Sequence, residues 1–302
     1  LDRDGINPEH LPAGWQMLWI DSVSVQVADG FVAPLLKGED YCGLVPTGAT
    51  WEALVSSLTT SVAPGERMGA TSGWVAKSVP IDITKGAGQS RAIGRVISAA
   101  KLARAKSYLK DHHDKLVGPT VEAELADLST KLGLQAGSME SPVALVISSV
   151  AGGSGAGMFL DVVEVLRSVD PNYNEPGRIL TILYTPDVFS SVSGTKGVPA
   201  NTLAALGEVL TGVWSDRVSQ ATHVVYDGAG MKTRARHGFG SKCNFLVGAS
   251  NANVSLGSQE DVYQAVGESL SALVADDRIQ DSLVQFTLTN VFLKSGNAEI
   301  LS

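Results

Sequence analysis

The sequence predicts an α/β protein: a doubly wound, mostly parallel sheet with a long central helix and insertions. Three observations carry this prediction. The runs Val143 to Ile147 and Arg178 to Thr185 have the length and composition of strands covered by helices, the glycine-rich segment Ser148 to Gly157 directly follows the first, and segments of helical period alternate with the runs. A chain of 302 residues, 44% hydrophobic and 18% charged, has enough apolar side chain for a substantial core.

Each element has its own signal. Gln16 to Val23 reads as a buried strand with Asp21 near its end. Trp51 to Leu58 reads as a helix, and so does Arg91 to Lys110, where Ile93, Val96, Ile97 and Ala100 recur at helical spacing. Val121, Leu125, Leu128 and Leu132 form a further stripe, and Met158 to Arg167 aligns Phe159, Val162, Val163 and Leu166 on one side. After the strand at 178–185 come Pro186-Asp187-Val188-Phe189 and a Ser/Gly loop through Gly197, then a helix with Leu203, Leu206, Val209 and Leu210 on one side. Ser258 to Val274 predicts a long helix, its apolar face built by Val262, Ala265, Val266, Leu270 and Leu273. The organisation expected is a nucleotide-binding domain over 1–257, with insertions at about 30–80 and 105–140, followed by a linking helix and the start of a second region over 258–302. Such insertions are expected to form partner or self-association surfaces.

Composition narrows the function classes. A net charge of -8 and a pI near 5.1 argue against nucleic acid as a partner. The local basic group Lys232, Arg234, Arg236 and Lys242 reads as a solvated hairpin tip. Two cysteines, Cys42 and Cys243, fit a reducing compartment. With no run of 18 apolar residues and no signal segment, the expected location is cytoplasmic, without a membrane span. His112-His113 point about 100° apart on a helix without a third ligand at useful spacing, so they read as a solvated helix end rather than a metal site.

The segment Gly152-Gly153-Ser154-Gly155-Ala156-Gly157 sits between strand and helix, where it reads as a phosphate cradle. Glycines let the backbone approach an anion, successive N–H groups converge on its oxygens, the following helix dipole faces it, and Ser154 adds a hydroxyl. A glycine-rich turn without a ligand is the bland alternative. Rival motifs fail by spacing: Met158 stands where a dinucleotide fingerprint needs its third glycine, Ala156 stands where a nucleophile elbow needs one, and no G-x-x-x-x-G-K-[ST] occurs. A Rossmann-like oxidoreductase is disfavoured on the same ground.

The run resembles the signature loop of the tubulin and FtsZ superfamily, G-G-T-G-[ST]-G. Gly86-Ala87-Gly88-Gln89-Ser90-Arg91-Ala92-Ile93-Gly94-Arg95 resembles the FtsZ loop G-A-G-x-x-P-x-x-G-R, in register and lacking the proline. Val198-Pro199-Ala200-Asn201-Thr202-Leu203 resembles V-x-P-Y-N-A-x-L of tubulin, and Asp261-Val262 with Ala265-Val266 resemble N-D-V-L-x-x-A-V of the central helix. The resemblance implies a bacterial tubulin-like protein that binds GTP or GDP, with ATP not excluded, together with Mg2+. It places Gly152 to Gly157 on the phosphates, Ala87, Gly88 and Gln89 at the terminal phosphate, Asp21 beside the magnesium, Asp187 in the sugar and phosphate loop, and Asp261 at the guanine edge. Asn201 reads either as a nucleotide contact or as a helix cap. Asp21 equally suits a turn, Asp261 a capping box with Ser258, and Gly86 to Ser90 the start of a helix.

The family is expected to self-assemble under nucleotide control, each site being completed by the next subunit. Its catalytic N-x-D-x-x-D aligns with Asp281-Ser282-Leu283-Val284-Gln285-Phe286, where Leu283 and Phe286 cannot polarise water. Asp281 is the remaining catalytic candidate, with Asp276 and Asp277 as substitutes, so the sequence leaves open whether the protein is a GTPase or a non-hydrolysing, non-polymerising nucleotide-binding scaffold. Nothing before Gln16 offers the family's first strand and inner-phosphate loop, and the residues after Val274 are too few for its second domain, so the chain reads as a piece of a longer protein.

Overall fold

A computed structural model describes residues 13–26, 36, 38–60, 78–131, 142–192, 197–214, 220–233, 238–275, 277–287 and 289. Every strand pairing among the described strands is parallel. β1 (Trp19–Asp21) pairs with β2 (Tyr41–Gly43), and a second sheet has the order β3-β4-β5, formed by Ala144–Ser149, Ile179–Tyr184 and Cys243–Val247. The helices are α1 (Trp51–Thr60), α2 (Arg91–Leu116), α3 (Pro119–Lys131), α4 (Gly153–Val169), α5 (Val198–Trp214), α6 (Gln220–Gly228), α7 (Gln259–Ala275) and α8 (Asp277–Thr287). α4 connects β3 to β4, and α5 with α6 connects β4 to β5, which is the crossover arrangement that parallel pairing requires.

β4 is buried along its whole length because helices cover both of its faces. Side chains alternate across a strand, so Leu183 packs with Val150, Phe159, Ala205 and Val209 on the α4 and α5 side. Leu180 turns the other way and meets Cys243, Phe245, Leu273 and Leu283 under α7 and α8. The result is the expected α/β layering.

α2 ties the two sheets together. One side of it joins Leu44, Val45, Trp51 and Leu54 in a core around β2 and α1, and the other lies directly on α4. A Cβ at Gly94 would fall 2.2 Å from the Gly153 carbonyl oxygen, and one at Gly157 would fall 2.7 Å from the Arg91 oxygen. These glycines allow backbone to touch backbone. Beneath the junction, Arg95 pairs with Asp161, which also accepts from the Tyr226 hydroxyl, and all three are buried or nearly so.

Several expectations shift. The strand expected over 16–23 is paired at Trp19–Asp21 alone, and α4 begins at Gly153 rather than Met158 because Gly152 already serves as its extended N-cap. β2 and β5 were not anticipated: the first is three residues long, and the second is a five-residue run, although Gly240-Ser241 and Gly248 bracket it with turn signals. On α5, Ala205 and Val209 face the core while Leu203 and Leu210 are exposed, so the apolar stripe is rotated from the expected one. Val121 is buried but Leu125 is exposed, while Leu132 and the Leu128 side chain lie outside the described residues. Lys232 and Lys242 lie between α6 and the parallel strand β5 and are exposed, as expected of a solvated basic group; Arg234 and Arg236, where the hairpin tip was expected, are outside the described residues. His112 and His113 are buried rather than solvated, because α2 runs on to Leu116. His112 contacts Gln16 Oε1 and the Glu39 carbonyl at 3.0 and 3.1 Å, and His113 lies 3.4 Å from Asp170.

Among the described residues β1 has no partner but β2, and β3 none but β4. Between them runs an apolar cavity of about 1280 Å³, lined in part by Trp19, Ile20, Leu145, Ile147, Met158 and Leu166.

Candidate functional site

The carboxyl end of β3 delivers the chain to the amino end of α4. Ala151 N–H donates to Ser149 Oγ at 3.0 Å, Gly152 takes φ -82° and ψ 175°, and the helix begins without any side-chain cap. A helix start leaves its first N–H groups without intrahelical partners and carries a partial positive charge. One of these amides is spoken for: Gly153 N–H donates to the Gly88 carbonyl at 3.0 Å. The amides of Ser154 and Gly155 follow it in the uncapped turn.

The glycines of this run divide by purpose. A Cβ at Gly152 would meet nothing within 4 Å, so that position opens outward. At Gly153 a Cβ would lie 2.5 Å from the Gly88 oxygen, and at Gly155 2.8 Å from the Ser149 oxygen. With Gly157 against α2, three of these glycines are required by the protein's own packing. Ala156 is buried in the core beside Phe159 and Leu183.

The second loop is built from an Asp82-capped 3-10 turn, Ile83–Lys85, and from Gly86 and Gly88, whose φ values of 108° and 54° favour glycine. Ala87 is buried, Gly88 is exposed, and Gln89 Oε1 is buried without a hydrogen-bond partner among the described residues. Ser90 then opens α2 without a side-chain cap bond. The two loops that sequence reasoning singled out therefore meet directly, through Gly153 and Gly88.

Asp21 also reaches this junction. Its Oδ1 accepts from Ser22 N–H at 2.6 Å and from the Ser22 hydroxyl at 3.2 Å, and Ser22 Oγ lies 2.7 Å from Ser154 Oγ. Asn201 is in the fourth position of α5, which excludes a capping role. It binds both loops instead, through Gln89, Ala151 and Arg91.

Asp187 and Asp261 occupy other settings. Asp187 accepts from the Thr185 hydroxyl and from Ala249 N–H, and so fastens the 186–189 turn to the loop after β5. Burial pushes its carboxyl up, but the hydrogen bonds from Thr185, Ala249 and Ser250 outweigh that and hold it below the ordinary carboxylate range. Asp261 takes part in the Ser258 cap at the start of α7, its N–H donating to Ser258 Oγ at 3.1 Å as in a capping box, while its Oδ2 accepts from that hydroxyl at 2.8 Å. Asp281 is exposed on α8, while Leu283 packs on the Leu180–Cys243 cluster and Phe286 lies 5.7 Å from Phe245, ring to ring. Neither Asp261 nor Asp281 has a hydrogen bond to the two loops among the described contacts. Asp276 and the Asp277 side chain lie outside the described residues.

Three site-building residues escaped sequence reasoning. Ser22 links Asp21 to α4, Thr202 donates to the Val150 carbonyl at 3.1 Å, and Arg91 donates from Nε to the Ala156 carbonyl at 3.1 Å while pairing with Glu208. Ser22 and Thr202 each adjoin a candidate in sequence, Asp21 and Asn201, which is the signal that would have found them.

An uncapped helix start and an outward-facing glycine fit an anionic ligand with several oxygens, bound largely by backbone N–H groups. Among the described residues no group of three His, Cys, Asp or Glu side chains could hold a metal by itself. No described helix is long and apolar enough to cross a membrane. No curated protein and no solved structure matches the chain. A family model described as "Tubulin like" matches residues 3–299, and the chain belongs to that family.

Proposed function

We propose that this chain binds a guanine nucleotide with magnesium at the junction of its two glycine loops, and that nucleotide state controls its self-association. The observation that carries the reading is the contact from Gly153 to Gly88 beside an uncapped α4 and an open Gly152. Family membership supports it. In this reading the amides of Gly152, Ser154 and Gly155 face the inner phosphates, Ala87 to Gln89 face the terminal one, and Asp21 lies toward the magnesium shell. Asp187 orders the amides of 249–250, and Asp261 retains one carboxylate oxygen for the base edge. The magnesium ion, when bound, neutralises phosphate charge.

A second reading is favoured by one observation. Leu283 packs on the Leu180–Cys243 cluster and Phe286, though 43% exposed, stands against Phe245, so two positions aligned with the family's catalytic carboxylates serve packing against the β4–β5 sheet. In that reading the chain is a nucleotide-binding scaffold that does not hydrolyse, with Asp281 the one carboxylate left in the aligned segment.

Titration calorimetry with GTP, GDP and ATP plus Mg2+ tests the binding, on the wild type and on Gly152→Val. The expected result is micromolar GTP binding, weakened at least about tenfold by the variant. Light scattering and phosphate release then separate the assembling protein from the scaffold. Absence of binding to all three nucleotides overturns the proposal, and preference for ATP overturns its guanine part.

A further inference from the structure

We infer that Asn201 is a positioning residue that locks the two glycine loops to one another and to the first turn of α5, without itself touching a ligand. Its carboxamide is nearly saturated by backbone. Nδ2 donates to the Gln89 carbonyl at 2.8 Å and to the Ala151 carbonyl at 3.0 Å, while Oδ1 accepts from Arg91 N–H at 3.3 Å. Both amide hydrogens are thereby used, so no donor remains for a ligand. The residue is 7% exposed, and its own N–H is bound to the Gly197 carbonyl at 3.0 Å.

The three partners explain why a carboxamide is needed. Two carbonyls and one N–H converge from segments far apart in sequence, and Asn presents two donors and one acceptor in a single plane. A hydroxyl has one hydrogen, a carboxylate has none, and a buried carbonyl left without its donor is costly. Close packing closes the arrangement: a Cβ at Gly197 would lie 2.8 Å from the Gln89 oxygen, so α5 already presses against the loop that Asn201 holds. Gly153 joins the loops backbone to backbone on α4, and Asn201 joins them on α5. The segments 87–91 and 151–153 therefore move as one body. Where the nucleotide reading holds, on which this part rests, Asn201 transmits the presence of a terminal phosphate at Ala87–Gln89 to the cradle and to α5.

The test uses Asn201→Asp, which keeps the shape and the acceptor for Arg91 but removes both donors, and Asn201→Ala. Amide hydrogen exchange of the nucleotide-free protein is the first readout. Exchange at residues 87–91 and 151–155 is expected to rise together, about tenfold, in both variants, while β4 and β5 stay at wild-type rates. Acceleration confined to α5, unchanged exchange, or global acceleration that includes β4 and β5 overturns the inference. This arm decides the question even if the wild type binds no nucleotide, in which case the proposed function fails separately. The second readout is affinity for GDP and GTP with Mg2+. The preference for GTP over GDP is expected to shrink about tenfold in Asn201→Asp while GDP affinity changes less than about threefold, and an equal loss for both nucleotides marks Asn201 as a direct ligand and overturns the positioning role.

Discussion

Gly153 donates its amide to the Gly88 carbonyl at 3.0 Å, and that same oxygen would lie 2.5 Å from any Cβ placed on Gly153. The glycine of one loop is thus dictated by the carbonyl of the other. This separates two reasons for glycine that look identical in sequence. Gly153→Ala and Gly94→Ala force α2 and α4 apart and are expected to destabilise the protein by about 1–3 kcal/mol or more. Gly152→Ala, at φ -82° with open space around its Cβ, loses only the N-cap preference for glycine over alanine and is expected to cost no more than about 1 kcal/mol. Urea denaturation of the three variants decides this, and a Gly152→Ala loss as large as that of Gly94→Ala refutes the division. Gly152 is therefore the position where a side chain probes ligand binding without breaking the fold.

The buried group under this junction has its own consequence. Asp161 pairs with Arg95 and accepts from Tyr226, and it is 1% exposed. Asp161→Ala leaves the Arg95 guanidinium buried without its counter-charge and is expected to cost about 3–5 kcal/mol. Tyr226→Phe removes a hydrogen bond alone and is expected to cost about 1–2 kcal/mol. Arg95→Met combined with Asp161→Leu is expected to recover much of the Asp161→Ala loss. If thermal and urea unfolding show the double variant to be no better than Asp161→Ala, the cost does not come from an unpaired charge.

How much of this was legible follows from the range of the interactions. The strand–loop–helix unit around Gly152–Gly157 and the helix from Arg91 are set by neighbours in sequence, and both loops were recognisable from their glycines. The reason for Gly94, Gly153 and Gly157 was not, because it lies in contacts of α4 with α2 and with the loop that precedes it, about sixty residues apart. The role of Asn201 depends on carbonyls 112 and 50 residues away, which no local pattern reveals. β2, with three residues, is too short to show alternation, and its pairing with β1 comes from tertiary context. The buried histidines were misjudged for a related reason: their environment is built by Gln16, Glu39 and Asp170, all remote in sequence.

Asp187 gives a pH-dependent prediction. Burial raises its carboxyl pKa, but the donors Thr185, Ala249 and Ser250 bring the net value below the ordinary 3.8. A carboxyl depressed in the folded state contributes stability that is complete above its unfolded pKa and lost as pH falls through the folded value. The link from the 186–189 turn to residues 249–250 is therefore expected to hold throughout neutral and mildly acidic pH and to weaken below about pH 3.8. The Ala249 amide resonance is expected to titrate with a midpoint below 3.8, and Asp187→Asn is expected to abolish that titration. A midpoint at or above 3.8 refutes the assignment.

β3 and β4 make opposite predictions about the same kind of residue. Leu183 has no exposed surface, and it fills the space between Val150, Phe159 and α5. Ile147, on the neighbouring strand, is 48% exposed and borders the apolar cleft beside β1. Truncating Leu183 to Ala removes buried methyl groups and leaves a cavity, with an expected cost of about 2–5 kcal/mol. Ile147→Thr keeps β-branching, changes a side chain already half in solvent, and is expected to stay within about 1 kcal/mol of wild type in this chain. Denaturant unfolding measures both, and comparable losses at the two positions would show that in solution the cleft is closed over Ile147 by packing as tight as that around Leu183.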